Sequence, residues 1–303
     1  MLKKVAFGLS LVLAGLLLVW MLGDGRLHEA FSRLIGIPAW VAATVIGSQA
    51  FSYFCRALRI AGEFSQSAPL PFTQFLRISL LHNFSVNIIP FRGGELMLPY
   101  LLHRAGVPGT RAVTTLVWLR VQDALVLGSI ALLLWPGIAL FLRSTAILGI
   151  FLGVVIFRHT ARRLRAPQAY PGLQKWFDAL TAALDAPLAS WGWSISNWLA
   201  KLAGQAVLLV ALASVAIETG ALGTLGGELS AMLPVQGVGG FGTYEAGVAF
   251  GLSGGQGDWL RYLVPAFALH LFTLLFAAAS GILAWIALPD ALPAAAPGTP
   301  EKA

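Results

Sequence analysis

Long apolar runs, almost free of charge, constrain this chain more than any other feature. Six of them read as full membrane spans: residues 5–22, 38–55, 110–135, 138–157, 194–217 and 260–288. A hydrocarbon core about 30 Å thick is crossed by roughly 20 apolar residues as helix. Of the 303 residues, 57% are hydrophobic and only 11% charged, whereas soluble domains carry about 25% charged residues. A soluble globular domain and a disordered chain are therefore excluded. The single cysteine, Cys55, excludes a disulfide-stapled scaffold. The run 5–22 follows Lys3 and Lys4, as a signal peptide does. It exceeds the usual ~7–15 apolar residues and has no small-residue cleavage site before Gly23, so retention as a first span is expected.

Two further apolar regions are interrupted. Residues 71–102 are broken by Asn87-Ile88-Ile89-Pro90-Phe91-Arg92-Gly93-Gly94-Glu95 and again at Pro99; residues 222–252 are broken by the block from Pro234 to Gly242. Proline removes a backbone donor and glycine loosens the helix, so both blocks are expected to unwind. Unwound backbone cannot face lipid, only protein or a wet cavity. Each region is thus expected to form a re-entrant hairpin. The fold class read here is all-α: a polytopic bundle of about six spans with two oppositely oriented re-entrant hairpins, resembling an inverted repeat. The internal repeat is weak, because Gly-Gly-Glu-Leu at 93–96 and 226–229 and the prolines Pro90 and Pro234 give different alignments. Residues 1–288 form one membrane domain, and the Pro/Ala-rich tail 289–303 is expected to be disordered.

The formal charge of +7 sits at the ends of the apolar runs, which speaks for membrane orientation and against nucleic acid as a partner. With the N-terminus in the cytoplasm, Lys3, Lys4, Arg56, Arg59, Arg104, Arg111, Arg158, Arg162, Arg163, Arg165, Lys175 and Lys302 fall inside; Arg26, Arg33 and Arg261 fall outside. This is the direction of the positive-inside rule and places both termini in the cytoplasm. Arg77, Arg143 and Lys201 are close enough to span ends to snorkel. Residues 158–187 form the main cytoplasmic loop. Leu173, Trp176, Phe177, Leu180 and Leu184 recur there at helical spacing, as in an interfacial helix, although an ordinary topology-fixing loop reads equally well.

Charges at membrane depth cost about 2.5–3.5 kcal/mol each on insertion scales and so mark candidate sites. Arg120 and Asp123 share one helical face at i, i+3. They form either a structural pair or a cavity-facing arginine steadied by its neighbour. Arg92 and Glu95 flank Gly93-Gly94, where a half-helix start would offer backbone donors to an anion, with the Arg92 fork suited to phosphate; a topological charge is the plainer reading. Asn87 serves the loosened backbone or touches a ligand. Glu245 follows Gly239 and Gly240 of the second break and pairs with Arg92 or Arg120, or holds a proton or cationic headgroup. Glu228 is the weakest candidate.

Several patterns carry no chemistry. Residues 237–242 fit GxGxxG without a βαβ unit around them. Residues 251–255 fit a nucleophile elbow without its strand–turn–helix context. The sequon Asn83-Phe84-Ser85 lies in an apolar run. The histidines lack metal-ligand spacing, and no metal or cofactor is expected. Gly149/Gly153 and Gly247/Gly251 read as helix-packing pairs. Tryptophans near span ends (Trp20, Trp40, Trp135, Trp191, Trp193, Trp259) read as interface anchors. No catalytic constellation remains, so no enzyme is expected.

The run Asn87-x-x-Pro90-x-Arg92-x-Gly94-Glu95, then Arg120-x-x-Asp123, then Leu233-Pro234 to Gly239-Gly240-x-Gly242-x-x-Glu245, resembles the flippase-like transmembrane region of lysylphosphatidylglycerol synthases. The similarity covers roughly residues 5–288. The bifunctional synthases carry an aminoacyl-transfer domain, whereas only a short tail follows Leu288 here, so synthase activity is not implied. The resemblance implies a bacterial inner-membrane protein that moves an anionic or zwitterionic lipid, or a lipid-linked group, between leaflets. Asn87, Arg92, Gly93, Gly94, Glu95, Arg120, Asp123, Gly239, Gly240 and Glu245 are the expected substrate-binding residues, and membrane lipids the expected partners. Two other readings stand beside it: a secondary transporter of a small anionic solute, and a non-transporting accessory of lipid or glycan biosynthesis with protein partners.

Overall fold

The computed structural model describes residues 25–64, 70–134, 137–161, 163, 173–185, 187–233 and 238–290, with Gly15 and Val19; of residues 90–92 only the backbone is described. Apart from Gly15 and Val19, the expected first span 5–22 therefore lies outside the described residues, as does the tail from 291 onward. Every regular element among the described residues is helical. In chain order these are α1 (Arg26–Ile35), α2 (Ala39–Phe64), α3 (Phe72–Ile88), α4 (Met97–Arg104), α5 (Gly109–Leu134), α6 (Leu140–Ala161), α7 (Gln174–Leu184), α8 (Leu188–Ala213), α9 (Ile217–Ser230), α10 (Thr243–Leu252) and α11 (Leu263–Ala287).

Among the described residues, four helical stretches are long and apolar enough to cross a membrane: α5, α6, α8 and the stretch Trp259–Ala287 containing α11. A fifth appears if α1 and α2, bent by 91° at their junction, count as one span. Residues Gln49, Ser52, Tyr53, Arg56, Arg59 and Glu63 give α2 a polar stripe. Most of that stripe is buried: Gln49, Ser52, Arg59 and Glu63 are all 5% exposed or less. The hydrophobic stretch therefore looks as if it stops at Cys55, while the helix runs on to Phe64 with its charges turned inward. Cys55 itself is completely enclosed.

The order long helix, medium helix, break, short helix, long helix occurs twice. It runs 26, 17, 8 and 26 residues in α2–α5 and 26, 14, 10 and 25 residues in α8–α11. The two sets meet along α2 and α8, where Ser52 Oγ donates to Asn197 Oδ1 at 2.8 Å and Gly204 admits Ser48 so closely that a Cβ would overlap it. Both breaks fall at the glycine-rich blocks. The first is a 3-10 segment, Pro90–Leu96, in which a Cβ on Gly94 would collide with the Ser85 carbonyl. Pro99, expected as a further break, instead sits in the first turn of α4, where its missing N–H removes no intrahelical bond. The second break spans the end of α9 to α10. Its residues 234–237 lie outside the described set, and Gly239, Gly240 and Gly242 all take positive φ.

Gly247 and Gly251 pack as expected, against Gly226 and the Leu222 carbonyl, and draw α10 onto α9. Gly149 and Gly153 do not: nothing lies within 4 Å of a Cβ at either position. Helix α7 packs on α5 and buries Ala179, Ala183 and Leu184. It is part of the bundle rather than a free surface helix. Trp191 is likewise no interface anchor, being buried edge-on against Trp118 and Phe151.

Candidate functional site

Polar residues spaced at helical periods build the site. On α8 the stripe is Ser190, Ser194, Asn197, Lys201 and Gln205, facing the stripe of α2. Between them the break before α4 and the middle of α5 deliver a charged network. Arg59 is 3% exposed; its Nη1 donates to Asp123 Oδ1 at 2.6 Å, and its Nη2 to the Leu119 carbonyl and Gln122 Oε1 at 2.8 and 2.7 Å. Ser194 Oγ and Trp198 Nε1 also donate to Asp123, each at 3.2 Å. Asp123 Oδ2 takes Arg120 Nη1 at 3.3 Å, while Arg120 Nε and Nη2 converge on Glu95 Oε2 at 2.9 and 2.6 Å. His82 Nε2 lies 3.4 Å from the same oxygen. One carboxylate, Asp123, thus balances two guanidinium groups, as a buried charge requires if it is to persist.

The second half builds a different network from equivalent pieces. Lys201 Nζ donates to Glu228 Oε2 at 2.7 Å and lies 5.4 Å from the Trp198 ring centroid. Gln205 Nε2 and Tyr244 OH approach Glu228 Oε1 at 3.2 and 3.5 Å. Glu245 is fully enclosed at the start of α10. Its Oε2 accepts the Gly242 N–H at 2.7 Å, capping the helix, and its Oε1 meets His270 Nδ1 at 2.6 Å. The separation Glu95–Arg120 and the separation Glu245–His270 are both 25 residues. In each half, a carboxylate at the end of the break or just beyond it grips a basic side chain in the following long helix.

These networks surround a cavity of about 560 Å³. Asn87, Glu95, Arg120, Gly239 and Gly240 from the sequence-derived set line it. Asp123, Glu245 and Gly94 stand behind the wall: Asp123 and Glu245 orient neighbours, and Gly94 lets the break pack against Ser85, while Gly93 is exposed and does not line the cavity. The Arg92 side chain lies outside the described residues. Asn87 Nδ2 donates to the Asn83 carbonyl at 2.7 Å, so it serves its own helix as well as the wall. Glu245 pairs with His270 rather than with an arginine, because α11 and not α5 packs over the second break.

Lining residues absent from that set include Arg56, Lys201, Glu228, His270 and Asn83. Arg56 and Arg59, which charge counting puts on the cytoplasmic side, are turned into the bundle, and Lys201, expected near a span end, pairs with Glu228. Arg77 is clasped by Asp290. The available signal was the periodicity of polar residues along α2 and α8. Among the described residues, Arg56 makes no hydrogen bond or ion pair, although it feels the charges of Arg120, Asp123, Glu95 and Arg59. Asn83, 3% exposed, likewise has no acceptor for its Nδ2. The cavity wall therefore carries one guanidinium, Arg56, that no acceptor among the described residues engages. No set of three or more potential metal ligands exists among the described residues.

The chain matches the family described as "Lysylphosphatidylglycerol synthase TM region" over residues 6–281, nearly its whole length. It belongs to that family. Membership and the apolar helices together make it a multi-pass membrane protein, and membership gives it a lipid-related setting. Comparison with curated proteins and with solved structures gave no match.

Proposed function

We propose that this protein is a non-enzymatic lipid translocase whose chamber takes the headgroup of an anionic or zwitterionic phospholipid, or of a lipid-linked group, while the acyl chains stay in the bilayer. The observation that carries this reading is Arg56: a guanidinium in the cavity wall that makes no hydrogen bond or ion pair among the described residues. A phosphate supplies the missing acceptors, and an arginine fork suits it in geometry and charge. Arg120, already held by Glu95, adds a second positive wall. Lys201, held by Glu228 and Trp198, offers a third.

On this reading the two breaks belong to re-entrant hairpins entering from opposite faces, and the two helix sets rock about the α2–α8 contact. The membrane is the bacterial inner membrane with both termini cytoplasmic, in keeping with the charge bias.

The test is purified protein in liposomes carrying anionic and zwitterionic reporter phospholipids. Wild type is expected to equilibrate the leaflets, and Arg56→Ala and Arg120→Ala to slow this by about tenfold or more, the worth of one charge-assisted hydrogen bond. Equal rates for wild type and both variants sink the proposal.

A further inference from the structure

Beside the polar chamber lies a second cavity of about 730 Å³, almost wholly apolar, between α5, α6 and α7. We infer that it is an acyl-chain site, holding one tail of the phospholipid whose headgroup enters the chamber; the headgroup part of this rests on the translocase reading above.

Continuity is the first argument. Val117 and Val121 on α5 line both cavities, and they are 59% and 41% exposed rather than packed. A ligand reaching from one cavity to the other passes from charged to apolar surroundings across these two valines, which matches the division within a phospholipid.

Length is the second. The groove follows α5 from Val113 to Leu125, about 18 Å of helix at ~1.5 Å per residue. One leaflet of hydrocarbon is roughly 15 Å deep, half of the ~30 Å core. The groove is therefore the length of a single tail.

The floor is the third. Gly149 and Gly153 on α6 face the groove, and the open space above both shows that they do not serve a helix contact. Glycine at two successive turns costs helix propensity. Here it keeps a side-chain-free trough, and α6 stands off the bundle with none of its apolar window buried.

The experiment uses proteoliposomes containing a phospholipid with a diazirine midway along one acyl chain, photolysed and mapped by mass spectrometry. Expected is labelling of Val117 on α5 and of Gly153 and Phe157 on α6 several-fold above Leu148 and Leu152, which are 69% and 56% exposed on α6. The double variant Gly149→Leu/Gly153→Leu fills open space and is expected to fold, as its thermal melt will report, and to lose most groove labelling. Gly149→Ala/Gly153→Ala keeps most of it. Equal labelling of groove and outer face, or labelling indifferent to the leucines, overturns the site. Leucine-sensitive labelling that is unchanged in Arg56→Ala supports the tail site and removes the headgroup assignment instead.

Discussion

At the scale of single residues, the site separates charges held in paired networks from Arg56, which pairs with none of the described residues. Asp123 accepts from Arg59, Arg120, Ser194 and Trp198, so Asp123→Ala leaves Arg59 buried without a counter-ion. That substitution is expected to cost roughly 3–5 kcal/mol, the usual penalty for breaking a buried pair. Arg56→Ala, which breaks no pair, is expected to leave the melting temperature in detergent unchanged. The exchange Arg120→Asp with Asp123→Arg is expected to fail to fold rather than to restore a pair, because the new arginine would face Arg59 at the position where Asp123 Oδ1 now sits 2.6 Å from Arg59 Nη1. Recovery of a wild-type melting temperature in that double variant would contradict the network described here. Glu245→Ala is expected to lower stability by about 1–3 kcal/mol, since it orphans the Gly242 N–H and the His270 ring in a buried place.

At the scale of elements, glycine pairs of identical spacing do opposite things. A side chain at Gly247 meets the Gly226 carbonyl at 2.5 Å and the Ser230 side chain at 2.6 Å, so Gly247→Leu is expected to part α9 from α10 and lower the melting temperature. Gly149→Ala meets nothing and is expected to be neutral or to stabilise by about 0.5–1 kcal/mol. Both are read by thermal unfolding of detergent-solubilised protein, and a reversed order would contradict the packing. The same contrast shows what the sequence made legible. Long, predominantly apolar runs announced α5, α6, α8 and α11, because mean apolarity needs no knowledge of facing. Proline and glycine announced both breaks for the same local reason. Hydropathy sums a residue's polarity without its direction, so Arg56 and Arg59 read as the end of a span although α2 carries them inward for two further turns. Which GxxxG is packed depends on a partner helix, and that is a tertiary fact. His82 and His270 carried no spacing signal because their partners, Glu95 and Glu245, come from other elements.

At the scale of the molecule, two similar sets of four helices meet on α2 and α8. If they rock as units, spin labels at Phe51 and Leu134, both in the first set, are expected to keep their separation when phospholipid is added. Labels at Leu134 and Ile286, one in each set, are expected to change theirs by several ångströms, measured by pulsed dipolar spectroscopy. Fixed distances in both pairs from a preparation that still equilibrates leaflets would exclude rigid-body rocking. The first internal signal of repetition, Gly-Gly-Glu-Leu at two places, misleads at this scale: the first copy lies in a break and the second inside α9. The correspondence that survives is the one between Glu95 with Arg120 and Glu245 with His270, visible only once the long helices are laid beside the breaks.

Cys55 is the chain's sole cysteine, and its sulfur is sealed away within the bundle. Thiol-directed reagents applied from water or bilayer thus meet no native target. A cysteine engineered at an outward position becomes the unique reactive handle of an otherwise unaltered protein, without a substitution in the helix that carries Arg56.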